Sequence, residues 1–307
     1  MHDTYDIAVV GAGPAGMTAA LYGKRAGMNV ALFEGRMAGG QMSEAGTIEN
    51  YPGFPDGVAG IDLAMAMREQ VEHQGITIID QLVDRIIPSA DHTDLVAGGI
   101  TYHAHALICA MGAHHRQLNV PGEAELIGHG VSYCATCDGN FFRGGSVAVV
   151  GGGDAAVGAA LYLSRICTQV VLIHRRDTFR ASQRDIDRLS HTSNIELHYN
   201  AEVLRLEETP QHKLAHIITR STLTGKESML NVDGLFVMAG HIPSSDLVAS
   251  FVQCDDHGYI SADEQGATSH VGIWAAGDIR SKHLRQVTTA TADGANAAEA
   301  AAEWCAS

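Results

Sequence analysis

Two segments of the chain, 140 residues apart, follow the same pattern, and this repeat constrains the fold more than any other feature. Residues 7–10 (IAVV) and 147–150 (VAVV) are short apolar stretches, each followed by a glycine-rich turn. A stretch typical of a helix comes next, and then a second apolar stretch at 30–33 (VALF) or 170–173 (VVLI). The order strand, turn, helix, strand predicts two βαβ units of an α/β protein.

Both turns have glycines at the spacing that dinucleotide-binding loops require. The first glycine permits a tight turn, the second lets a pyrophosphate approach the backbone, and a small third residue lets the helix pack against the strand. Because the two turns occur in register, we favour two nucleotide sites over two glycine-rich turns without a ligand. The expected contacts are Gly11, Gly13, Pro14, Ala15 and Gly16 in the first loop, and Gly151, Gly153, Asp154, Ala155 and Ala156 in the second.

The two units differ where their second strand ends, and this difference predicts different nucleotides. The first unit has Glu34 there, and a carboxylate can accept hydrogen bonds from both hydroxyls of an adenosine ribose. The second has His174, Arg175 and Arg176, with Arg180 one turn later. A carboxylate repels a 2′-phosphate, whereas arginines bind one bidentately. We therefore expect FAD at the first loop and NADP(H) at the second, although a charged helix start is also common without a ligand.

The remaining apolar stretches suggest that the second unit is inserted into the first. Residues 106–112 and 234–240 are predicted strands that end in glycine, and both are expected crossings between domains. The predicted fold is α/β with two Rossmann-like dinucleotide-binding domains. The FAD-binding domain is expected at 1–113 and 241–307, ending in an alanine-rich helix from about 289 to 304, and the NADPH-binding domain at 114–240.

Composition excludes several other classes of protein. The net charge of −15 disfavours nucleic acids and membrane surfaces as main partners. We find no apolar stretch long enough to span a membrane, and the acidic first residues lack the basic start of a secretory signal. Six cysteines are too few for a secreted disulfide scaffold of this size. A cytoplasmic protein is expected.

Two of the cysteines, Cys134 and Cys137, form a CxxC motif just before the second unit. Such a pair in a cytosolic protein indicates a redox disulfide or half of a zinc site. We favour the disulfide, because the chain has no second CxxC to complete the zinc ligands. Asp138 follows directly and can exchange protons with a thiol, although Asp-Gly is also an ordinary turn signal.

Taken together, these motifs resemble the bacterial-type (low molecular weight) thioredoxin reductases over essentially the whole chain. The blocks that carry the resemblance are GAGPAG at 11–16, GGQ at 39–41, ENYPG at 49–53, CATCD at 134–138, GGGD at 151–154, HRRD at 174–177 with FR at 179–180, AGD at 276–278, and RQ at 285–286.

The resemblance implies roles for residues outside the two glycine loops. Gly40, Gln41 and Asn50 are expected to approach the flavin. Asp278, with Gly277 beside it, is expected to hold the ribityl and phosphate portion of FAD. Gln286, flanked by Arg285 and Val287, is expected near the isoalloxazine ring, where a helix N-terminus would stabilise the reduced anion.

It also implies an activity. Reducing equivalents pass from NADPH through FAD to the Cys134–Cys137 disulfide, with Asp138 as the acid and base, and then to thioredoxin or a thioredoxin-like protein. In this family, NADPH and the redox disulfide take turns at the flavin as the inserted domain rotates, so 111–115 and 240–243 are the expected hinges. A homodimer is expected from the resemblance.

The sequence departs from the family at two places. Gly158 and Ala159 replace a usual pair of acidic residues, and Leu284 and Val287 flank Arg285 and Gln286 where tyrosine and alanine are usual. The first departure leaves open a reductase or oxidase of the same fold that uses ferredoxin, another flavin donor or oxygen in place of NADPH. A non-enzymatic redox or zinc-binding protein is the alternative from another class.

Overall fold

The computed structural model describes residues 4–35 and 37–307, and the chain forms two compact units. The first comprises the chain up to His114 together with Ile242–Ser307, and the second comprises His115–His241. The second unit is thus inserted into the sequence of the first. Both are α/β with parallel sheets, so the predicted fold class is confirmed.

The elements lie along the chain as follows. Up to the first crossing they are β1 (Thr4–Val10), α1 (Pro14–Arg25), β2 (Val30–Phe33), α2 (Gln41–Glu44), β3 (Thr47–Ile48), β4 (Val58–Ala59), α3 (Gly60–His73), β5 (Thr77–Ile79), β6 (Val83–Pro88), β7 (Thr93–Ala97), β8 (Ile100–Cys109) and β9 (Ala113–His115). The inserted part continues with β10 (Val131–Ser132), α4 (Ala135–Asp138), a 3₁₀ turn (Gly139–Phe142), β11 (Ser146–Val150), α5 (Asp154–Leu163), β12 (Gln169–His174), α6 (Gln183–Ser190), β13 (Ile195–Tyr199), β14 (Ala201–Glu208), β15 (Leu214–Ser221), β16 (Glu227–Asn231), β17 (Gly234–Val237) and β18 (His241–Pro243). The chain ends with β19 (Ile273–Ala275), a 3₁₀ turn (Gly277–Ile279) and α7 (Val287–Ala306).

The main sheet of the first unit has the order β5-β2-β1-β8, and β8 has two further neighbours. The first half of β8 pairs with antiparallel β7, and the last residues of β8 pair with parallel β19. Helices α1 and α7 pack closely against each other, since a Cβ added to Gly294 would overlap the carbonyl oxygen of Ala15. The buried side chains of this core include Ile7, Met17 and Leu32.

The inserted unit has a five-stranded parallel sheet in the order β10-β17-β11-β12-β13. A separate antiparallel sheet, β14-β15-β16, follows it in the chain. Helix α5 connects β11 to β12 and buries Val157 and Leu163 against them.

The backbone confirms the predicted repeat in register. Ile7 pairs with Val30 in the first unit, and Val147 pairs with Val170 in the second, so each partner is shifted by the same 140 residues. Helix α1 begins after Gly13, and α5 begins after Gly153. The two glycine loops therefore open at equivalent ends of two equivalent sheets, at the helix N-termini.

Candidate functional site

The first glycine loop has one tightly packed side and one open side. A Cβ on Gly16 would overlap the carbonyl oxygen of Gly11, which is why the third position must be small. At Gly13 an added Cβ meets no atom of the described residues within 4 Å. The backbone amide of Ala12 donates a 2.8 Å hydrogen bond to Oε2 of Glu34. The predicted carboxylate thus lies beside the predicted loop.

A second segment lies against the same loop. The amide of Gly39 donates to the carbonyl oxygen of Ala12 at 2.7 Å. Gly40 has a φ of +54°, and a Cβ there would be 3.7 Å from Cα of Gly13. Helix α2 then begins at Gln41, whose side-chain amide donates to the carbonyl of Ala113. Gly40 and Gln41 are therefore adjacent to Gly13, although more than 25 residues separate them in the sequence.

The structure also joins Asn50 to Gln286. Nδ2 of Asn50 donates to Oε1 of Gln286 at 3.0 Å. Gln286 caps the N-terminus of α7 reciprocally with Thr289, and Val287 is the first residue of the helix. The positive end of a 20-residue helix is therefore fixed at this position.

Asp278 lies in a buried polar cluster at the N-terminal end of α7. Its Oδ1 atom is buried and has no hydrogen-bond partner within residues 4–35 and 37–307. The nearest cation is Nζ of Lys282, at 3.9 Å. Burial raises the pKa of the Asp278 carboxyl, partly opposed by Lys282 and Arg285. An unpartnered buried acceptor is costly unless a ligand supplies the missing donor, so this atom fits a hydroxyl-bearing ligand.

Sequence reasoning missed Asp293, which organises this cluster. Its carboxylate accepts a hydrogen bond from the amide of Gly277 at 3.0 Å and forms ion pairs of 2.8 Å with Arg280 and Lys282. The guanidinium of Arg285 donates to the backbone carbonyl of Arg280 at 3.2 Å and stacks 4.0 Å from the centre of the Tyr259 ring. No local pattern singles out Asp293, because α7 also contains Glu299 and Glu303.

The cysteine pair of the inserted unit forms a disulfide. Cys134 is the N-cap of α4, and its Sγ accepts a hydrogen bond from the amide of Cys137 at 3.2 Å. The two Cα atoms are 5.3 Å apart, and the sulfurs are bonded. Both residues are partly exposed. The amide of Cys137 therefore points at the sulfur of Cys134 in the disulfide-bonded state.

Ser132 links this disulfide to Asp138 and was missed by the sequence analysis. Its buried hydroxyl donates to Oδ2 of Asp138 at 2.7 Å, and its Oγ accepts from the amide of Cys134 at 3.0 Å. Burial raises the pKa of the Asp138 carboxyl, and the hydrogen bond from Ser132 acts in the opposite direction. A carboxyl with a raised pKa is suited to proton exchange with a thiol.

The second glycine loop is open at the same position as the first. An added Cβ on Gly153 meets no described atom within 4 Å. The amide of Arg180 donates to the carbonyl of Gly152 at 2.7 Å, and the amide of Ser182 donates to Oδ1 of Asp154 at 2.9 Å. These bonds fold the segment after β12 back onto the loop.

His174 forms part of the wall of this loop. Its ring lies where a Cβ on Gly152 would project, and it stacks on Phe179 with centroids 5.3 Å apart. The ring is buried, and burial lowers the pKa of His174. His174 is therefore neutral near pH 7 and supports the loop by packing.

The three predicted arginines have a different environment. Arg175, Arg176 and Arg180 are exposed, and within the described ranges their guanidinium groups form no ion pair or hydrogen bond. In a chain with a net charge of −15, these three arginines beside a helix N-terminus create a local region of positive potential. On helix α5, which begins at the second glycine loop, Gly158 is exposed and Ala159 is buried.

Two open glycine loops on repeated βαβ units, together with a disulfide in the inserted unit, are typical of a disulfide oxidoreductase with two dinucleotide-binding domains. Residues 5–294 match the pyridine nucleotide-disulphide oxidoreductase family, and the chain belongs to this family.

Its relatives match nearly the whole of this chain. The chain is 42% identical over 305 residues to a thioredoxin reductase of Mycolicibacterium smegmatis, covering 98% of this chain and 97% of that protein. It is 42% identical over 308 residues to a bifunctional thioredoxin reductase/thioredoxin of Mycobacterium leprae, covering 99% of this chain and 67% of that protein. The crystal structure of a thioredoxin reductase from Streptococcus pyogenes superposes with a TM-score of 0.91 at 38% identity, covering 99% of each chain.

Among the helices of the described residues, none is long and apolar enough to cross a membrane.

Proposed function

We propose that the chain is an NADPH-dependent thioredoxin reductase that contains FAD. The observation that carries this proposal is the Cys134–Cys137 disulfide within an oxidoreductase of this family. The overall reaction transfers two electrons and two protons, so NADPH, a proton and oxidised thioredoxin give NADP⁺ and the thioredoxin dithiol.

FAD belongs, in this proposal, to the domain formed by residues 1–113 and 241–307. When bound, FAD supplies two-electron transfer between a nicotinamide and a disulfide. Glu34 would bind the adenosine ribose, and the open side of Gly13 leaves room for the pyrophosphate. Asp278 offers the unpartnered acceptor for a ribityl hydroxyl, and Gln286 with α7 would place positive potential at the flavin.

NADPH belongs to the domain formed by residues 114–240. The open side of Gly153 gives the pyrophosphate access to the backbone. Arg175, Arg176 and Arg180 supply unpaired donors for the 2′-phosphate, which supports NADPH over NADH and over a donor without a nucleotide.

Cys134, Cys137 and Asp138 carry out the thiol–disulfide exchange. Reduction breaks the bond between Cys134 and Cys137 and leaves one thiolate and one thiol. A thiolate then attacks the partner's disulfide, the mixed disulfide is resolved by the second cysteine, and the Cys134–Cys137 bond forms again. Asp138 exchanges the proton that accompanies each opening and closing. Thioredoxin is the proposed partner, and the M. leprae relative, whose name joins both proteins, supports this choice.

We also propose that the protein is a cytoplasmic homodimer. The exposed side chains of Ile61 and Met65, one turn apart on α3, support a self-association surface. Light scattering of the purified protein tests the dimer, with Met65→Glu expected to shift it towards the monomer. Immunoblotting of separated cell fractions tests the location.

An anaerobic titration tests the central proposal. NADPH should bleach the flavin absorbance at a much lower concentration than NADH. The Cys134→Ser/Cys137→Ser double variant should keep this bleaching and lose all reduction of thioredoxin. A flavin that stays oxidised with NADPH, or thioredoxin turnover in the double variant, would contradict the mechanism.

A further inference from the structure

A cluster of metal-binding side chains lies in the first unit, on strands that the proposed redox reaction does not use. His92, Asp94 and His103 each direct one potential ligand atom into the cluster, and these three atoms lie within 4.8 Å of one another. None of the three belongs to either glycine loop or to the disulfide.

The sheet register explains why these side chains converge. Asp94 on β7 is the direct cross-strand partner of His103 on β8. His92 precedes Asp94 by two residues and His105 follows His103 by two, so all four project from the same face. Directly paired residues of an antiparallel sheet have Cβ atoms about 5 Å apart, close enough to share one ligand.

The distances suit a small cation. Nδ1 of His103 is 2.6 Å from Oδ1 of Asp94, and Nε2 of His92 is 3.2 Å from the same oxygen. Ligand atoms about 2.0 Å from a tetrahedral zinc ion are separated by roughly 3.3 Å, so small side-chain shifts suffice. The two histidine rings are 5.7 Å apart at their centroids, which leaves a position between them.

The carboxylate of Asp91 orients the ring of His92. Oδ1 of Asp91 is 2.8 Å from Nδ1 of His92 and fixes that nitrogen as the hydrogen-bond donor. Nε2 of His92 then faces Oδ1 of Asp94 at 3.2 Å, where either a proton or a metal ion can lie between the two atoms. A carboxylate behind a ligating imidazole is the usual arrangement around protein-bound zinc.

The cluster is accessible from outside. A depression of about 240 Å³ is lined by Thr4, Asp91, His92, His103, Ala104 and His105. The side chain of His92 is 35% exposed, and those of Asp94 and His103 are each 25% exposed, so a hydrated ion can enter without opening the fold.

We propose that His92, Asp94 and His103 form a binding site for a divalent transition-metal ion of the zinc class, with Asp91 orienting His92. Two imidazoles and one carboxylate are a donor set that zinc accepts, with a fourth position left for water or His105. Bound metal would join the turn before β7 to β8. This inference is independent of the proposed reductase activity.

The test uses tag-free oxidised holoenzyme, freed of metal with a chelator, so that Cys134 and Cys137 remain disulfide-bonded. Isothermal titration with ZnCl₂ should give one site per chain, and Zn²⁺ should raise the unfolding temperature. His92→Ala, Asp94→Asn and His103→Ala should each weaken binding by at least about tenfold, and Asp91→Asn by about tenfold. His103→Cys should restore binding, since thiolate is also a zinc ligand.

His73→Ala is the matched control, because His73 is an exposed histidine of the same unit with one carboxylate neighbour, Glu69, at 3.6 Å. It should bind Zn²⁺ as the unaltered protein does. Absence of saturable binding, or equal affinity in the control and the three ligand variants, would overturn the proposal. So would a Co²⁺ absorption spectrum with strong thiolate charge-transfer bands, which would place the metal on cysteine.

Discussion

The hydroxyl of Ser132 donates a 2.7 Å hydrogen bond to Oδ2 of Asp138, and its oxygen accepts the amide of Cys134 at 3.0 Å. One buried side chain therefore holds the proposed proton carrier and the backbone of the first redox cysteine in a fixed relation. Short, buried hydrogen bonds to a carboxylate are among the stronger ones in proteins. Ser132 is a positioning residue in this arrangement.

Replacing Ser132 by alanine should slow thioredoxin reduction about tenfold, because a lost hydrogen bond to a charged group is worth about 1.5–3 kcal/mol. The hydrogen bond lowers the pKa of Asp138, so its loss should shift the pH profile of turnover towards higher pH. Reduction of the flavin by NADPH should not change. Stopped-flow absorbance and steady-state turnover at several pH values separate the two effects.

Ser228→Ala, in an exposed strand of the same unit, is the matched control and should leave both rates unchanged. A Ser132→Ala variant with the parent pH profile would show that Ser132 has no influence on Asp138.

Several features of the site could be predicted because they are local. Each glycine loop lies within six residues, and Glu34 and the arginines follow at the end of the next strand, so spacing alone locates them. The disulfide is likewise local, because it joins two cysteines that are three positions apart in the sequence.

Other features depend on contacts that no local pattern contains. Asn50 and Gln286 are 236 residues apart, and only the fold brings them together. Strand β8 begins at Ile100 rather than near 106, because its first half pairs with β7 and alternates buried and exposed side chains. His174, which the sequence groups with the arginines, is a buried ring beside Gly152, and its contact with a nucleotide stays a prediction.

Asp278→Asn separates cofactor binding from stability. Its Oδ1 is buried without a partner, so removing the charge should lower the free energy of unfolding of the apoprotein by less than about 1 kcal/mol, or increase it. Retention of FAD should fall at least about tenfold if this oxygen accepts a hydroxyl of the cofactor, since a lost hydrogen bond to a charged group is worth about 1.5–3 kcal/mol. Chemical denaturation of the apoprotein and flavin fluorescence measure the two quantities.

Asp293→Asn is the contrasting variant, because Asp293 neutralises Arg280 and Lys282. It should lower the free energy of unfolding by about 3–5 kcal/mol, as expected when one partner of a buried ion pair is removed. Equal losses of stability in both variants would contradict the distinction drawn between the two carboxylates.

Asp278 also gives the apoprotein a pH dependence of known sign. Burial raises the pKa of this carboxyl above its ordinary value of 3.8, so the folded state binds the proton more tightly than the unfolded chain. The resulting stabilisation is complete below pH 3.8 and is lost as pH rises through the folded-state pKa. Between these values the free energy of unfolding of Asp278→Asn should fall less with rising pH than that of the parent protein.

The three unpaired arginines predict the nucleotide preference. Arg176→Ala, or the same change at Arg175 or Arg180, should raise the KM for NADPH by about tenfold or more, since each charge-assisted contact is worth about 1.5–3 kcal/mol. The KM for NADH should change little, because NADH has no 2′-phosphate. Arg165→Ala, which alters another exposed arginine of the same unit, should leave both values unchanged. Equal effects on NADPH and NADH would indicate a general electrostatic role.

The two positions that depart from the family should respond in opposite ways to an acidic residue. Gly158 is exposed, and an added Cβ meets no described atom within 4 Å, so Gly158→Ala should raise the free energy of unfolding by about 0.5–1 kcal/mol through helix propensity. Gly158→Glu should be tolerated for the same reason.

Ala159 is only 7% exposed within the core of the inserted unit, so Ala159→Glu should lower the free energy of unfolding by about 2 kcal/mol or more. Chemical denaturation of the three variants measures these changes, and NADPH titration of Gly158→Glu shows whether the missing carboxylate influences nucleotide binding. A stable Ala159→Glu protein would mean that this face of α5 is more open than the structure shows.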